Sequence, residues 1–521
     1  MKRRNFIQHL SSSFLLPVMI DGYGAKAFNH TSPFVRALLD VADNTDRILV
    51  IIQLQGGNDG LNMVLPLDQM STYSSLRANI ALPEAKILKL NGYEATGIHP
   101  AMTGLQTMFN EGKLSIVQAV SYPNPNFSHF RASDIWMTGA DSTQTLATGW
   151  AGRYLDNRFP DYPDVYPTAA MPDPLAIQIG YTTATTLLGP SANMAVAIPD
   201  PDTFAQLVGD KPFVAPGDLP NTYAGKQVSF IREQQVSSVQ YAGQIKTAAS
   251  KGKNQVTYAT GNTLADQLKI VARLIGGGLQ TKVYYVTMGG FDTHANQVDT
   301  TDMTTGTHAE LLKDVSDAIK NFQDDLKALK MEDKVIGMTF SEFGRRVVSN
   351  GSRGTDHGLA APMFVFGTSI KTRMVGKNPD LKDLDNNNIK MQTDFRQVYA
   401  AIIEDWFGGN AAAENATLFK DYQSVPVFRQ TVTGIEEPIG KSFVIYPNPA
   451  INEAIIESDE LTNAIQSFQM MDLLGRSVSV NKSRISSTAL RLDLSNLPAG
   501  NYVIGIETER TRLKGKLMVV K

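Results

Sequence analysis

Hydrophobic and polar positions follow two different rhythms along this chain. From about residue 44 to 433, near-continuous apolar runs stand between helical patterns. Ile48-Leu49-Val50-Ile51-Ile52-Gln53-Leu54 is the clearest run, and others fall at 114–120, 283–288, 335–340 and 363–366. A run apolar at nearly every position fits a strand buried on both faces of a parallel sheet. Leu311, Leu312, Val315, Ile319, Phe322 and Leu326 recur at three- and four-residue spacing, which predicts an amphipathic helix. Alternation of the two patterns predicts an α/β domain with a doubly wound, mostly parallel sheet and helices on both faces. Residues 155–260, poor in clear strands and rich in Pro, Gly, Ser, Thr and Gln, are read as an insertion, a cap over the active face. From about Ser442 the period shortens to two: Leu490, Leu492 and Leu494 alternate with Arg491 and Asp493, and Tyr502, Ile504 and Ile506 share one face. With turns at 447–449 and 498–501, residues 442–521 read as a small C-terminal antiparallel β-sandwich.

Composition narrows the chemistry. The 48 basic and 51 acidic side chains leave a formal charge of −3, which gives no electrostatic footprint for nucleic acid. No apolar run approaches the roughly 20 residues that cross a bilayer, so no transmembrane anchor is expected. The chain has no cysteine, so any metal must be held by His, Asp, Glu, amides or hydroxyls.

Both ends read as addresses. Residues 1–27 carry basic residues, then a mildly apolar stretch, then Ala25-Lys26-Ala27, the layout of an export signal peptide. The Arg3-Arg4 pair with Phe6 resembles the twin-arginine signal, which implies the twin-arginine translocase as a partner. Tyr446-Pro447-Asn448-Pro449, the run Asp472-Leu473-Leu474-Gly475-Arg476, Leu497-Pro498-Ala499-Gly500-Asn501-Tyr502 and the last strand resemble the C-terminal sorting domain of the type IX secretion system. That resemblance implies passage through the type IX machinery to the surface or exterior of a Bacteroidetes-type bacterium. A generic β-sandwich accessory module is the alternative reading.

Polar clusters recur where apolar runs end, and ligands of open α/β sheets bind beyond the carboxyl ends of the strands. They are residues 55–60 with Asp59, residues 126–131 with Ser128, His129 and Arg131, residues 289–294 with Asp292 and His294, and residues 341–345 with Glu342 and Arg345; residues 354–358, with Asp356 and His357, lie in the loop before the fifth run. Pairing of carboxylate with imidazole suits a divalent ion, Zn, Mn, Ca or Mg, in a one- or two-metal site.

In this order the clusters resemble the domain of unknown function 1501 family, on Leu54-Gln55-Gly56-Gly57-Asn58-Asp59-Gly60-Leu61-Asn62, Gly290-Phe291-Asp292-Thr293-His294, Ser341-Glu342-Phe343-Gly344-Arg345, Gly354-Thr355-Asp356-His357-Gly358 and Asp394-Phe395-Arg396-Gln397-Val398-Tyr399. That family looks related to the alkaline phosphatase and sulfatase superfamily, so the resemblance implies an alkaline-phosphatase-like fold and hydrolysis of phosphate or sulfate esters. It assigns Asp59, Asp292, His294, Glu342, Asp356 and His357 as metal ligands and Ser128 as the nucleophile, at the start of a helix reaching Gly139. Arg131 or Arg345 is expected to clamp the anionic group. Phe343 stands where a His is expected, and no His follows His357, so one usual ligand is missing. The alternative is a non-catalytic extracellular binding protein that keeps the fold and holds a glycan or anionic polymer. A formylglycine sulfatase is disfavoured, since there is no Cys and residues 128–131 lack the S-x-P-x-R pattern.

Overall fold

The computed structural model describes residues 19–20, 23–24, 46–208, 222–429, 441–448, 450–462, 464–472, 478–508 and 512–521. The expected export signal therefore lies almost wholly outside the described residues. The chain divides into two compact units, Met1–Thr431 and Val432–Lys521.

The larger unit is built on one mixed sheet. Its strands are β1 (Ile48–Leu54), β2 (Leu114–Ser121), β3 (Ala176–Ile179), β4 (Ala195–Ile198), β5 (Val283–Met288) and β6 (Val335–Phe340). A hairpin of β7 (Gly344–Ser349) and β8 (Thr355–Gly358) follows, and the sheet continues with β9 (Ala361–Phe366), β10 (Met374–Val375) and β11 (Thr393–Asp394). The strand order is β10-β2-β9-β6-β1-β5-β3-β4, with β11 also paired to β2. All seven residues of β1 are buried, as its apolar run requires. Each fully buried aliphatic side chain contributes about 1.5–3 kcal/mol relative to exposure.

β9 alone runs against the others, antiparallel to both β6 and β2. This direction matters for the site. A reversed strand begins where its neighbours end, so the loop before β9 meets the loops after β1, β5 and β6 along one edge.

Helices cover the sheet: α1 (Thr103–Asn110), α2 (His129–Thr138), α3 (Trp150–Arg158), α4 (Tyr223–Lys251), α5 (Thr263–Gly276), α6 (Thr307–Ala328) and α7 (Phe395–Ala401). The stripe expected near 311–326 is the buried face of α6, with Leu312, Val315, Ile319, Phe322 and Leu326 all at 0% exposure. α2 ends at Gly139, left-handed at φ 68°, a cap that glycine adopts without strain. The two largest hydrophobic clusters take alternate residues of β1: Val50 and Ile52 pack in one, Leu49 and Ile51 in the other.

The reading of 155–260 as an insertion needs correction. β3 and β4 lie inside it and extend the parallel sheet, β3 pairing with β5 and with β4. Each is only four residues long and flanked by Pro and Gly, too short to stand out by periodicity.

In the smaller unit, two four-stranded sheets share one core that includes Ala454, Ile456, Leu490, Leu492, Ile504, Ile506, Leu513 and Leu517. Both are antiparallel except where Lys441–Ser442 joins the last strand in parallel. The period-two pattern reports this two-layer packing, with Leu490 and Leu492 buried and Arg491 exposed between them.

Candidate functional site

Five segments meet at the carboxyl edge of the sheet. The turn after β1 is shaped by glycines: Gly56 has φ +125° and Gly57 φ +76°. A Cβ on Gly56 would stand 2.3 Å from the backbone nitrogen of Asp292. The turn thus lets the loops after β1 and β5 touch backbone to backbone.

Arg345 fastens these loops. Its side chain is fully buried, and it donates from Nε to Gly57 O at 2.5 Å, from Nη1 to Thr355 O at 2.8 Å and from Nη2 to Phe291 O at 3.2 Å and to Gly56 O. Nη2 also reaches Asp292 Oδ1 at 2.6 Å. Burial alone would raise the Asp292 carboxyl, but the Arg345 contact, the His357 hydrogen bond and the His294 charge outweigh it and hold it below the usual range.

Around Asp292 three imidazoles converge. His294 Nε2 lies 3.1 Å from Asp292 Oδ1, His357 Nε2 lies 3.3 Å from the same oxygen, and the two ring nitrogens are 2.9 Å apart. His129 Nε2 stands 3.5 Å from the other carboxylate oxygen, Oδ2. His129, Asp292 and His357 can each aim a ligand atom within 4.8 Å of the others.

The surroundings set ring orientation. His129 Nδ1 lies 2.8 Å from Glu342 Oε1, which also accepts the Gly56 N–H at 2.9 Å. His357 Nδ1 donates to Phe127 O at 2.9 Å, which turns its Nε2 toward Asp292 and His294. Burial, more than any other influence, lowers the His357 pKa, against the Phe127 and Asp292 hydrogen bonds that raise it. Asp356 Oδ1 stands 3.6 Å behind His294 Nδ1. The Phe343 ring packs at 4.4 Å from His357 and 4.9 Å from His129, centroid to centroid.

Asp292 Oδ1, His294 Nε2 and His357 Nε2 form a triangle with edges of 2.9, 3.1 and 3.3 Å. Tetrahedral zinc, with ligands at about 2.0–2.2 Å, sets neighbouring donors roughly 3.3 Å apart. The donor set and its spacing therefore fit a divalent ion.

The other expected residues fall in different places. Glu342 is buried behind His129 and acts by holding it. Asp356 is exposed and buttresses His294. Asp59 is fully buried in an ion pair with Arg77 at 2.5 Å, and its Oδ2 also accepts from Gln297 at 2.6 Å; it does not join the converging carboxylate and imidazoles. Ser128 is an exposed N-cap of α2 whose side chain makes no capping hydrogen bond.

The anion clamp expected of the arginines needs correction. Arg131 is engaged by Asp134 and the Ser142 and Gln144 carbonyls, and Arg345 by the loop carbonyls and Asp292. Neither presents a free donor fork to the site.

His129 joins Asp292 and His357 although the family resemblance assigns it no role. Its place in the polar cluster after β2 was the available signal. The position one residue into α2 turns its ring back toward the sheet edge.

Six of these residues, Asp292, His294, Glu342, Arg345, Asp356 and His357, lie in one matched segment. Residues 230–406 match the protein family of unknown function DUF1501. The DUF1501 match begins C-terminal to Asp59, Ser128 and His129. Residues 444–521 match the secretion system C-terminal sorting domain, which implies export and a surface or extracellular location. No described helix is long and apolar enough to cross a membrane.

No curated protein matches the chain. Solved structures similar to it include a protein in the alkaline phosphatase superfamily from Vibrio parahaemolyticus, at 10% identity and TM-score 0.29, over 66% of this chain and 65% of that one. This chain thus covers just under two thirds of that protein's length. A phosphonate monoester hydrolase from Silicibacter pomeroyi is similar at 10% identity and TM-score 0.32, over 91% of this chain and 87% of that one. The PsFucS1 sulfatase from Pseudoalteromonas sp. is similar at 11% identity and TM-score 0.33, over 89% and 85%.

Proposed function

We propose that this protein is an exported, metal-dependent hydrolase of phosphate or sulfate esters, carried by the twin-arginine translocase and the type IX machinery to the surface of a Bacteroidetes-type cell. The observation that carries the reading is the triangle of Asp292, His294 and His357, whose edges match the donor spacing of a bound divalent ion.

Held by these three residues, with His129 on the second oxygen of Asp292, a divalent ion would polarise the ester oxygens and lower the pKa of a nearby hydroxyl or water. The chain's own groups supply the rest. Glu342 fixes His129 through Nδ1 and leaves Nε2 to take the proton of the attacking hydroxyl and return it to the leaving oxygen. Ser128, exposed at the N-terminus of α2, is the candidate nucleophile, where helix N–H groups suit an anion. Asp356 steadies His294, and Arg345 keeps Asp292 ionised.

The reading is tested by metal content and turnover together. Wild-type protein should carry one or two divalent ions per chain and cleave nitrophenyl phosphate or nitrophenyl sulfate. His357→Ala should lose both. Wild-type protein that takes up no metal from divalent-ion solutions would sink the proposal.

A second reading, a binding protein for a glycan or anionic polymer, is favoured by one observation: Arg131 and Arg345 are both saturated by internal partners. It predicts that metal is retained and no ester is turned over.

A further inference from the structure

A second group of potential ligands stands apart from the histidine site and contains oxygen donors alone. Glu404, Glu414 and Asp421 each place a carboxylate oxygen within 4.8 Å of the others. Glu404 lies on the π-helical turn Ile402–Trp406 that continues α7. Glu414 is in the first turn of the helix Ala411–Leu418, whose start is capped by Asn410. Asp421 follows Phe419, which ends that helix in the left-handed conformation at φ 62°.

Local sequence brings the three together. Gly408 turns at φ +72°, and Gly409 donates to Ile403 O at 2.7 Å. A Cβ on Gly409 would stand 2.8 Å from Ile403, so this turn needs glycine to fold the next helix back onto Glu404. The Glu414 side chain is 0% exposed. Its Oε1 accepts the Tyr422 N–H at 2.5 Å, while Oε2 is buried with no hydrogen-bond donor among the described residues.

Three carboxylates converge here without a compensating charge. Among the described residues, no Lys or Arg lies within 4 Å of any of them. Two cations beside the adjoining Tyr422 are engaged with its ring, Lys420 and Arg396 at 5.3 and 4.8 Å. Burial first, then the Glu404 charge and the Asp421 and Glu404 carboxyls, raise the Glu414 pKa despite the Tyr422 hydrogen bond.

We propose that Glu404, Glu414 and Asp421 form a calcium site that clamps the helix Ala411–Leu418 to the end of α7. An all-oxygen donor set selects a hard cation, and calcium accepts irregular geometry and completes its shell with water. Magnesium, which demands near-octahedral order, suits this loop-built cluster less well. One carboxylate is buried, one half-buried and one exposed, so the ion would enter from the Asp421 side. Sites of this kind on extracellular proteins bind in the range of about 0.1–1 mM, and the sorting domain implies such a location.

The test uses the full chain, stripped with EDTA and dialysed, with thermal unfolding followed in 0–10 mM calcium chloride. The wild type should gain about 2–4 °C, saturating at millimolar calcium. Asp421→Asn, which changes an exposed group and leaves the buried packing intact, should lose that gain, and His357→Ala should keep it. Terbium luminescence through Trp406 gives a second readout, which Glu414→Gln should abolish. A wild type indifferent to calcium, or a gain unchanged in Asp421→Asn and Glu414→Gln, would overturn the proposal. So would a Glu414→Gln variant that melts higher in EDTA while the wild type gains nothing from calcium, since the carboxylates would then share a proton.

Discussion

Glu342 Oε1 lies 2.8 Å from His129 Nδ1 and 2.9 Å from the Gly56 amide. One buried carboxylate thus orients an imidazole and anchors the turn after β1. Glu342→Gln keeps an acceptor for Gly56 but removes the charge that favours an N–H at His129 Nδ1. Outer-shell losses of this type cost about 10–100-fold. Glu342→Gln is therefore expected to fold with a nearly unchanged melting temperature and to lose turnover by that factor. Activity equal to wild type would show that the Glu342 charge takes no part in orienting His129.

Arg345 bonds to four carbonyls and to Asp292. Lysine keeps the charge but cannot span these acceptors with a compact ammonium. Arg345→Lys should destabilise the larger unit by about 2–4 kcal/mol, because buried carbonyls lose their donors. Urea denaturation measures that loss. Metal content in the surviving folded fraction should fall as well, since Asp292 loses its restraint.

Gly57 is constrained twice, by φ +76° and by the Phe343 ring, which a Cβ would meet at 2.2 Å. Gly57→Ala must displace a ring that packs against both His129 and His357. A loss of about 1–3 kcal/mol is expected. Weakened metal retention should accompany it. A variant with wild-type stability and full metal content would refute this account of the turn.

His308 is buried, and burial drives its pKa down to about 4; burial likewise takes His99 down to about 3. Both are neutral in the folded protein and titrate at about 6.5 when unfolded. Their lowered values favour the folded state above pH 6.5. That advantage is lost as pH falls from about 6.5 toward 4, because only the unfolded chain takes up the protons. His308 alone should contribute on the order of 3 kcal/mol of this change. Urea midpoints at pH 7 and pH 4.5 should differ less in His308→Gln than in the wild type. Equal pH slopes in the two proteins would refute it.

The long buried strands β1, β5 and β6 and the helix α6 were legible because their periodicity is unbroken over six or more residues. β3 and β4 were not, since four residues between Pro and Gly carry no period. The histidine site was partly legible. Asp292 and His294 announce themselves as a carboxylate–imidazole cluster after an apolar run, and Asp356 and His357 as another in the loop before one. Asp59 carries the same surface signal, yet Arg77, eighteen positions later, neutralises it in the core. Such a pairing leaves no local mark. The arginines misled for a related reason: a planar donor fork serves backbone carbonyls as readily as it serves an anion, and only the fold reveals which it faces.

The reversed direction of β9 gives residues 341–358 an unusual topological status. The chain leaves the sheet at the end of β6 and returns in the adjacent strand, since Gly337 and Met338 pair with Phe366 and Val365. Glu342, Arg345, Asp356 and His357 all ride on that single excursion, whose two ends are next-door neighbours. The hairpin can therefore change length without reordering any strand, and these four side chains stand or fall together with one excursion of the chain.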